Sequence, residues 1–334
     1  MIAPPFGQEG GPEVVCKHLT NALAKKGMDI TLFAPADWKT DAKHISTLPK
    51  SLWRMPDFKK QTDVFRRNLI FTSQLEIIKY QNNFDVIHLH AHRSAYAVAK
   101  FLNKPCVLTL HNVIENTEFK QIKNAGIFTV AISSGRTGKN KATAVIENGI
   151  DVTKMGYSTD KGKFLLFVGR IREDKGADLA MRIAKKTGKK LVIIGRIGNT
   201  PERKMYFEKE IKPYLGKTVI FKDQMPQHEL YEYMKNAEAL LSLIRTRLTL
   251  FPLIVMEALA AGTPVLSSEI QLLPKRLRDS RVLCMSNKFE DWLKAAKEID
   301  RFDRKECRKY AEKNFDSSVM AEKYIQLYKK IIRR

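Results

Sequence analysis

Short apolar runs alternate with longer stretches of helical spacing along the whole chain, and few folds accept that rhythm. In the first half, residues 29–34, 86–90, 106–110 and 129–132 read as buried strands. Residues 14–26 carry helical spacing, with Val14, Val15, His18, Leu19, Ala22 and Leu23 on one side, and Gly27 is placed to close that helix. After the polar break 158–162 the rhythm restarts. Residues 164–168, 191–194, 219–221, 239–243 and 264–267 read as strands, and 178–186, 229–236 and 255–261 as helices. Strand, helix, strand in this order predicts parallel sheets with right-handed crossovers. The expected fold class is α/β, with two successive doubly wound, Rossmann-like units. Ligands of such sheets sit beyond the carboxyl ends of the strands, here in the cleft between the units. A length of 334 residues agrees, since one core seldom serves more than about 250–300. The opening strand is short, because only Met1, Ile2 and Ala3 precede Pro4 and Pro5.

Lys and Arg outnumber Asp and Glu by 59 to 36, a formal net charge of +23. Such a field draws anionic partners: a phosphorylated substrate, an anionic membrane face or nucleic acid. A Lys-rich codon bias produces the same excess without any function. Nucleic acid is the weakest choice, because no zinc-finger spacing, aromatic ribonucleoprotein motif or basic zipper occurs. No apolar run reaches the ~20 residues that cross a bilayer. The opening residues lack the basic flank and apolar stretch of a signal peptide. Cys16, Cys106, Cys284 and Cys307 lie far apart with no CxxC pair, which argues against zinc and for free thiols in a reducing compartment. The expected location is cytoplasmic.

Three segments carry chemistry. Gly169 to Gly176 follows a strand and opens a helix, so a backbone can approach a ligand there and the helix offers free N–H groups. Arg170 and Lys175 could converge on a diphosphate, the Arg as a fork and the Lys as a point charge; a solvated basic loop is the alternative. Gly10 and Gly11 follow the first strand and suit close approach to phosphate or sugar, though a plain turn also explains them. Glu257 stands alone in an otherwise apolar helix that stops at Gly262-Thr263-Pro264. A buried carboxylate needs a partner; a ribose diol and a structural salt bridge both qualify.

With these segments in order, the sequence resembles the family 4 retaining glycosyltransferases of the GT-B fold (glycosyl transferases group 1) over nearly its whole length. The matching blocks are IAPPF and GGPE (residues 2–6 and 10–13), DVIHLH (85–90), VLTLHN (107–112), ENGID (147–151), FVGRIREDKG (167–176), LVIIG (191–195) and LFPLIVMEALAAGTPV (250–265). The resemblance implies an acceptor-binding domain over 1–157, a donor-binding domain over 158–314, and a helix over 315–334 crossing back to the first domain. It implies a hexosyltransferase that uses a UDP- or GDP-linked sugar, with no resident cofactor and no divalent metal. Gly10, Gly11 and Gly169 would lie by the donor diphosphate, which Arg170 and Lys175 would hold. His111 would contact the transferred sugar, Gly195 and Arg196 the base, and Glu257 the ribose, with Thr249, Leu250, Phe251, Pro252, Leu253 and Ile254 completing the donor loop. His88, His90 and His92 read as structural or rim residues, and no Asp-x-Asp motif occurs.

One departure stands out. The family's first motif glutamate falls at Thr249, and Pro252 stands in place of a glycine. A Thr hydroxyl can bond a sugar but brings no negative charge, and Pro252 fixes φ and removes an N–H. Donor choice is then shifted, activity weakened, or the chain has become a GT-B-like binding or partner protein. A dehydrogenase is set aside because Gly10-Gly11-Pro12 does not make GxGxxG.

On the acceptor side, residues 50–80 mix Trp53, Arg54, Phe58, Lys59, Lys60, Phe65, Arg66 and Arg67, as an interfacial helix on anionic lipid does. Lys323, Lys329, Lys330, Arg333 and Arg334 add charge at the end of the chain. The partners implied are a glycan or lipid-linked acceptor and an anionic membrane surface; an amphipathic helix with a solvated basic face is the alternative.

Overall fold

The computed structural model describes residues 1, 3, 10–90, 95–112, 114–133, 141–245, 252–269 and 281–333. The chain divides into two units, Met1–Ile150 with Asp316–Arg334, and Asp151–Phe315.

The first unit begins with Phe33 N donating to Met1 O (2.8 Å) and Ala3 N to Phe33 O (2.9 Å), so the short opening segment runs along the next strand. Helix α1 (Gly11–Lys25) buries Val15, Cys16, Leu19, Ala22 and Leu23, the side expected from their spacing. Gly27 closes it at φ +79°, where only a residue without Cβ is unstrained. Strand β1 (Thr31–Ala34) pairs in parallel with β2 (Lys43–Ser46). The basic aromatic segment is not one helix. Three-residue 3₁₀ turns at Leu52–Arg54 and Phe58–Lys60 flank Pro56, and only Asp63–Leu75 (α2) is a full helix, followed by the single turn α3 (Ile77–Tyr80). The segment is anchored inward by Leu52, Phe58 and Ile70, which pack with Leu48. Strand β3 (Ile87–Leu89) precedes α4 (Ala95–Ala99), and β4 (Cys106–Leu110) precedes α5 (Asn116–Asn124). Strands β5 (Phe128–Ala131) and β6 (Ala144–Val145) complete a parallel sheet in the order β3-β4-β5-β6. Strands β3 and β4 are buried throughout, as the continuous apolar runs required.

The second unit holds the larger sheet. Its elements are β7 (Leu165–Val168), α6 (Ala177–Thr187), β8 (Leu191–Ile194), α7 (Pro201–Glu210), β9 (Val219–Lys222), α8 (Gln227–Asn236), β10 (Ala239–Ser242), α9 (Leu253–Ala260), β11 (Val265–Ser268), β12 (Leu283–Ser286), α10 (Phe289–Lys297) and α11 (Arg304–Phe315). Among the described residues the strands lie parallel in the order β12-β11-β10-β7-β8-β9. The order reverses beside β7, which makes the β7–β10 edge a topological switch point where such sheets bind ligands. The core runs from Leu165 and Phe167 through Ile183, Ile193 and Leu241 to Trp292 and Ala296.

From the second unit the chain returns to the first at a single point. Ile150 bridges Asp316, and Ser317 N donates to Ile150 O (2.8 Å). Helix α12 (Ser317–Ile332) is N-capped by the Asp316 carboxylate. Its buried residues Met320, Ala321, Tyr324, Leu327, Tyr328 and Ile331 face the first unit, where α12 packs on α1. No described helix is long and apolar enough to cross a membrane.

Candidate functional site

The carboxyl ends of β7, β8 and β10 are drawn together by glycines. Gly169 N donates to Ile194 O (3.0 Å) and Ile171 N to Arg196 O (3.0 Å), which zips the two loops after β7 and β8. A Cβ on Gly195 would lie 1.8 Å from Gly169 O, so no side chain is possible there. Gly176 holds φ +75°, and a Cβ on it would lie 2.1 Å from Leu243 O at the end of β10. The chain then enters α6. Gly169, Arg170, Lys175, Gly195 and Arg196 therefore share one loop cluster at the switch point.

The charges in this cluster are arranged unequally. Arg172 is consumed locally, its Nε 2.7 Å from Asp174 Oδ1. Arg170 and Lys175 have no ion pair among the described residues. Burial lowers the pKa of the Arg170 guanidinium, and the nearby Arg172 and Arg203 push the same way. Lys175 is also lowered, by burial first; Asp174 opposes this, while Arg170 and Arg172 add to it. Cations brought within range of one another without matching carboxylates form a field that an anion relieves.

Glu257 sits on α9, in the connection after β10, and is 7% exposed. Burial raises its carboxyl to about 7, opposed only by the Gln227 bond. Gln227 Nε2 donates to Glu257 Oε1 (3.0 Å), and no salt bridge to Glu257 occurs among the described residues. Of the two partners considered for this carboxylate, the salt bridge is absent there. Pro252 caps α9, and Leu253 and Ile254 form its first turn, half-buried. Thr249, Leu250 and Phe251 lie outside the described residues.

Sequence reasoning missed several residues. Gln227, on the first turn of α8, reaches Glu257, and the Tyr231 phenol one turn on is raised by burial first and then by the Glu257 charge; nothing local in the sequence marks either. Arg245 and Asp178 also belong to the cluster, and their positions at a strand end and in a helix first turn were the available signal.

In the first unit, Gly10 is the N-cap of α1 and Gly11 its first residue. Glu13 folds back over this start: its Oε2 would be 2.1 Å from a Cβ on Gly10. The Glu13 side chain is buried, which raises its carboxyl to about 7. His111 follows β4 and is buried, its Nε2 3.0 Å from His90 Nδ1. His88 is held by Tyr328 Oη (2.6 Å) and Thr109 Oγ1 (2.7 Å), and Thr109 Oγ1 also meets Tyr324 Oη (2.7 Å). Burial keeps His88 and His90 well below the ordinary imidazole range, hence neutral. His88 is thus a structural residue tied to α12, and His90 backs His111; His92 lies outside the described residues. No group of three or more His, Cys, Asp or Glu side chains is placed to hold a metal among the described residues.

Known proteins share this organisation. The family model for glycosyl transferases group 1 matches residues 155–314, and that for glycosyltransferase family 4 matches residues 9–146. The chain is 26% identical to an "Uncharacterized 41.2 kDa protein in cps region" of Klebsiella pneumoniae, over 96% of this chain and 97% of that one. It is 24% identical to a D-inositol 3-phosphate glycosyltransferase of Frankia alni, over 81% of this chain and 80% of that one. The crystal structure of Anabaena Alr3699/HepE in complex with UDP superposes with a TM-score of 0.71 at 13% identity, covering 98% of both chains. That likeness speaks to fold alone. The two family matches cover one unit each, in the order of the sequence blocks that pointed to them, and the chain belongs to the family 4 glycosyltransferases, with the GT-B fold.

Proposed function

We propose that the chain transfers a hexose, with retention and without a divalent metal, from a UDP- or GDP-linked sugar to a hydroxyl of a glycan or lipid-linked acceptor. The observation that carries this is the Arg170 and Lys175 pair, short of carboxylate partners at the switch point, with the lone buried Glu257 in the adjoining connection. In this reading the bond between the anomeric carbon and the diphosphate oxygen breaks, and the diphosphate keeps the electron pair. Arg170, Lys175 and the start of α6 stabilise that charge where it develops. The acceptor oxygen attacks from the face the diphosphate leaves, and its proton departs with the diphosphate. His111 contacts the sugar, Gly195 and Arg196 border the base, and Glu257 accepts from the ribose hydroxyls. The UDP named in the Anabaena structure supports a nucleotide donor. The cps region named for the Klebsiella relative supports a role in cell-envelope polysaccharide synthesis.

The acceptor side of the reading is a cytoplasmic enzyme resting on an anionic membrane face. Trp53, Val64 and Phe65 are 57%, 63% and 49% exposed beside Arg54, Lys60 and Arg67, which supports it. Lys323 contributes less than its sequence position implied, since it faces Glu147 at 3.6 Å.

The test is a thermal-shift and hydrolysis screen against UDP- and GDP-sugars with chelator present. Stabilisation by one nucleotide series, lost in Arg170→Ala and Lys175→Ala, is expected. Absence of a shift with every nucleotide would leave a binding or scaffold role on a GT-B frame. Thr249 keeps that second reading in view. A gain of transfer in Thr249→Glu identifies a degraded enzyme, and no change in an active protein identifies a re-tuned site.

A further inference from the structure

The end of β10 delivers a cation into the loop cluster that the transfer reading leaves without a task. Arg245 N donates to Asp174 O (2.9 Å), so the chain is pinned to the loop after β7 immediately before residues 246–251. The Arg245 guanidinium is a fork on Asp178, with Nη1 to Oδ1 at 2.7 Å and Nη2 to Oδ2 at 2.5 Å. Nη1 also donates to Glu173 O (2.7 Å). Tyr206 Oη donates to Asp178 Oδ1 (2.7 Å), so both carboxylate oxygens are occupied. Burial would raise the Asp178 carboxyl, but the bonds from Arg245 and Tyr206 outweigh it and hold it below the ordinary range.

Asp178 is the second residue of α6, three residues beyond Lys175. The helix start there favours a negative group, and an unpaired carboxylate competes for that field with any incoming anion. Asp174, the other buried-side acid of the loop, is already matched by Arg172. The remaining acid, Glu173, is solvent-exposed.

We propose that Arg245 is a positioning residue of the donor site, neutralising Asp178 at the start of α6. A nucleoside diphosphate then meets Arg170 and Lys175 without an unpaired carboxylate at the helix start. The inference rests on the donor-site reading above.

Calorimetric titration of UDP and GDP into the full-length protein at low salt tests it, using R245Q, D178N, R245K and the R245Q/D178N pair. R245Q is expected to bind roughly tenfold more weakly, the scale of one unit charge across a partly screened site. The double variant, which restores neutrality, returns to within about threefold of the parent, as two coupled neighbours do. R245K keeps the charge without the fork and stays close to the parent in affinity while slowing transfer. A purely structural role for Arg245 predicts no rescue. The inference is overturned if R245Q binds like the parent, or if the double variant is as weak as R245Q, since the guanidinium would then touch the ligand itself. Should R245Q not fold, D178N alone decides: it must bind no more weakly than the parent, and a loss beyond about threefold refutes neutralisation. Failure of the unaltered protein to bind either nucleotide overturns the donor reading and this inference with it.

Discussion

Glu257 illustrates how a buried acid is held at the expense of the fold. In an unfolded chain its carboxyl titrates near 4.5; in the folded unit burial moves it to about 7. The folded state thus prefers the protonated form, and the sign follows from linkage. The associated stability is fully present below 4.5, declines as pH rises, and is gone above about 7. Each pKa unit is worth about 1.4 kcal/mol, so an ionised Glu257 costs about 3 kcal/mol at pH 8.5, as a ceiling. Glu257→Gln keeps an oxygen to accept from Gln227 and does not titrate. At pH 8.5 the variant is expected to melt higher by about 6–12 °C at that ceiling, given the size of the second unit. At pH 5 the advantage falls below about 1 kcal/mol. Differential scanning fluorimetry of parent and variant from pH 4.5 to 9 reads the curve directly. An advantage that does not change with pH, or a variant that melts lower at pH 8.5, would falsify the account of Glu257 as an uncompensated buried acid. On the proposed donor reading, the same variant binds the nucleotide about tenfold more weakly, because the ribose would lose a charged acceptor.

Two further outcomes follow from the geometry. Gly195→Ala places a Cβ 1.8 Å from Gly169 O, a backbone atom that cannot swing aside. A loss of about 3 kcal/mol or more and of nucleotide binding is expected; an unchanged melting temperature contradicts the close approach. Trp53→Ala with Phe65→Ser removes the exposed aromatics of the 50–71 segment while leaving its cations. Sedimentation with phosphatidylcholine/phosphatidylglycerol vesicles should fall about tenfold or more, as two buried aromatic contacts at an interface imply. Equal sedimentation of parent and double variant, or equal binding to purely zwitterionic vesicles, rejects the lipid-facing role.

How much of this was legible in the sequence varied with the physics. Strands β4 and β8 have the expected bounds because an uninterrupted apolar run permits little else once both faces are covered. Strand β12 escaped notice because Leu283, Cys284 and Met285, though apolar, lack the β-branched residues that mark so short a run as a strand, and β6 is two residues long. The 50–80 segment looked like one amphipathic helix, but Pro56 and its 3₁₀ neighbours confine the helix to Asp63–Leu75. Among the candidate site residues, Glu257 was visible as the one carboxylate in an apolar helix, and the cations of the 169–176 loop as a motif. Arg245 was not, because its partner Asp178 is 67 residues away and each is an ordinary surface residue when read alone. Gln227 offered no signal at all, since a glutamine at the start of a helix is unremarkable until the fold sets it beside a buried acid.

The route of the chain imposes an order on synthesis. Residues 151–315 leave the ribosome as an uninterrupted block and can complete their own sheet. The half made earlier cannot finish, because α12 has not yet been translated. Until it arrives, α1 has no cover for the side it later presents to that helix, and His88 and Thr109 lack the hydroxyls of Tyr328 and Tyr324. The first unit is therefore sealed only after the second has been made, by helix α12.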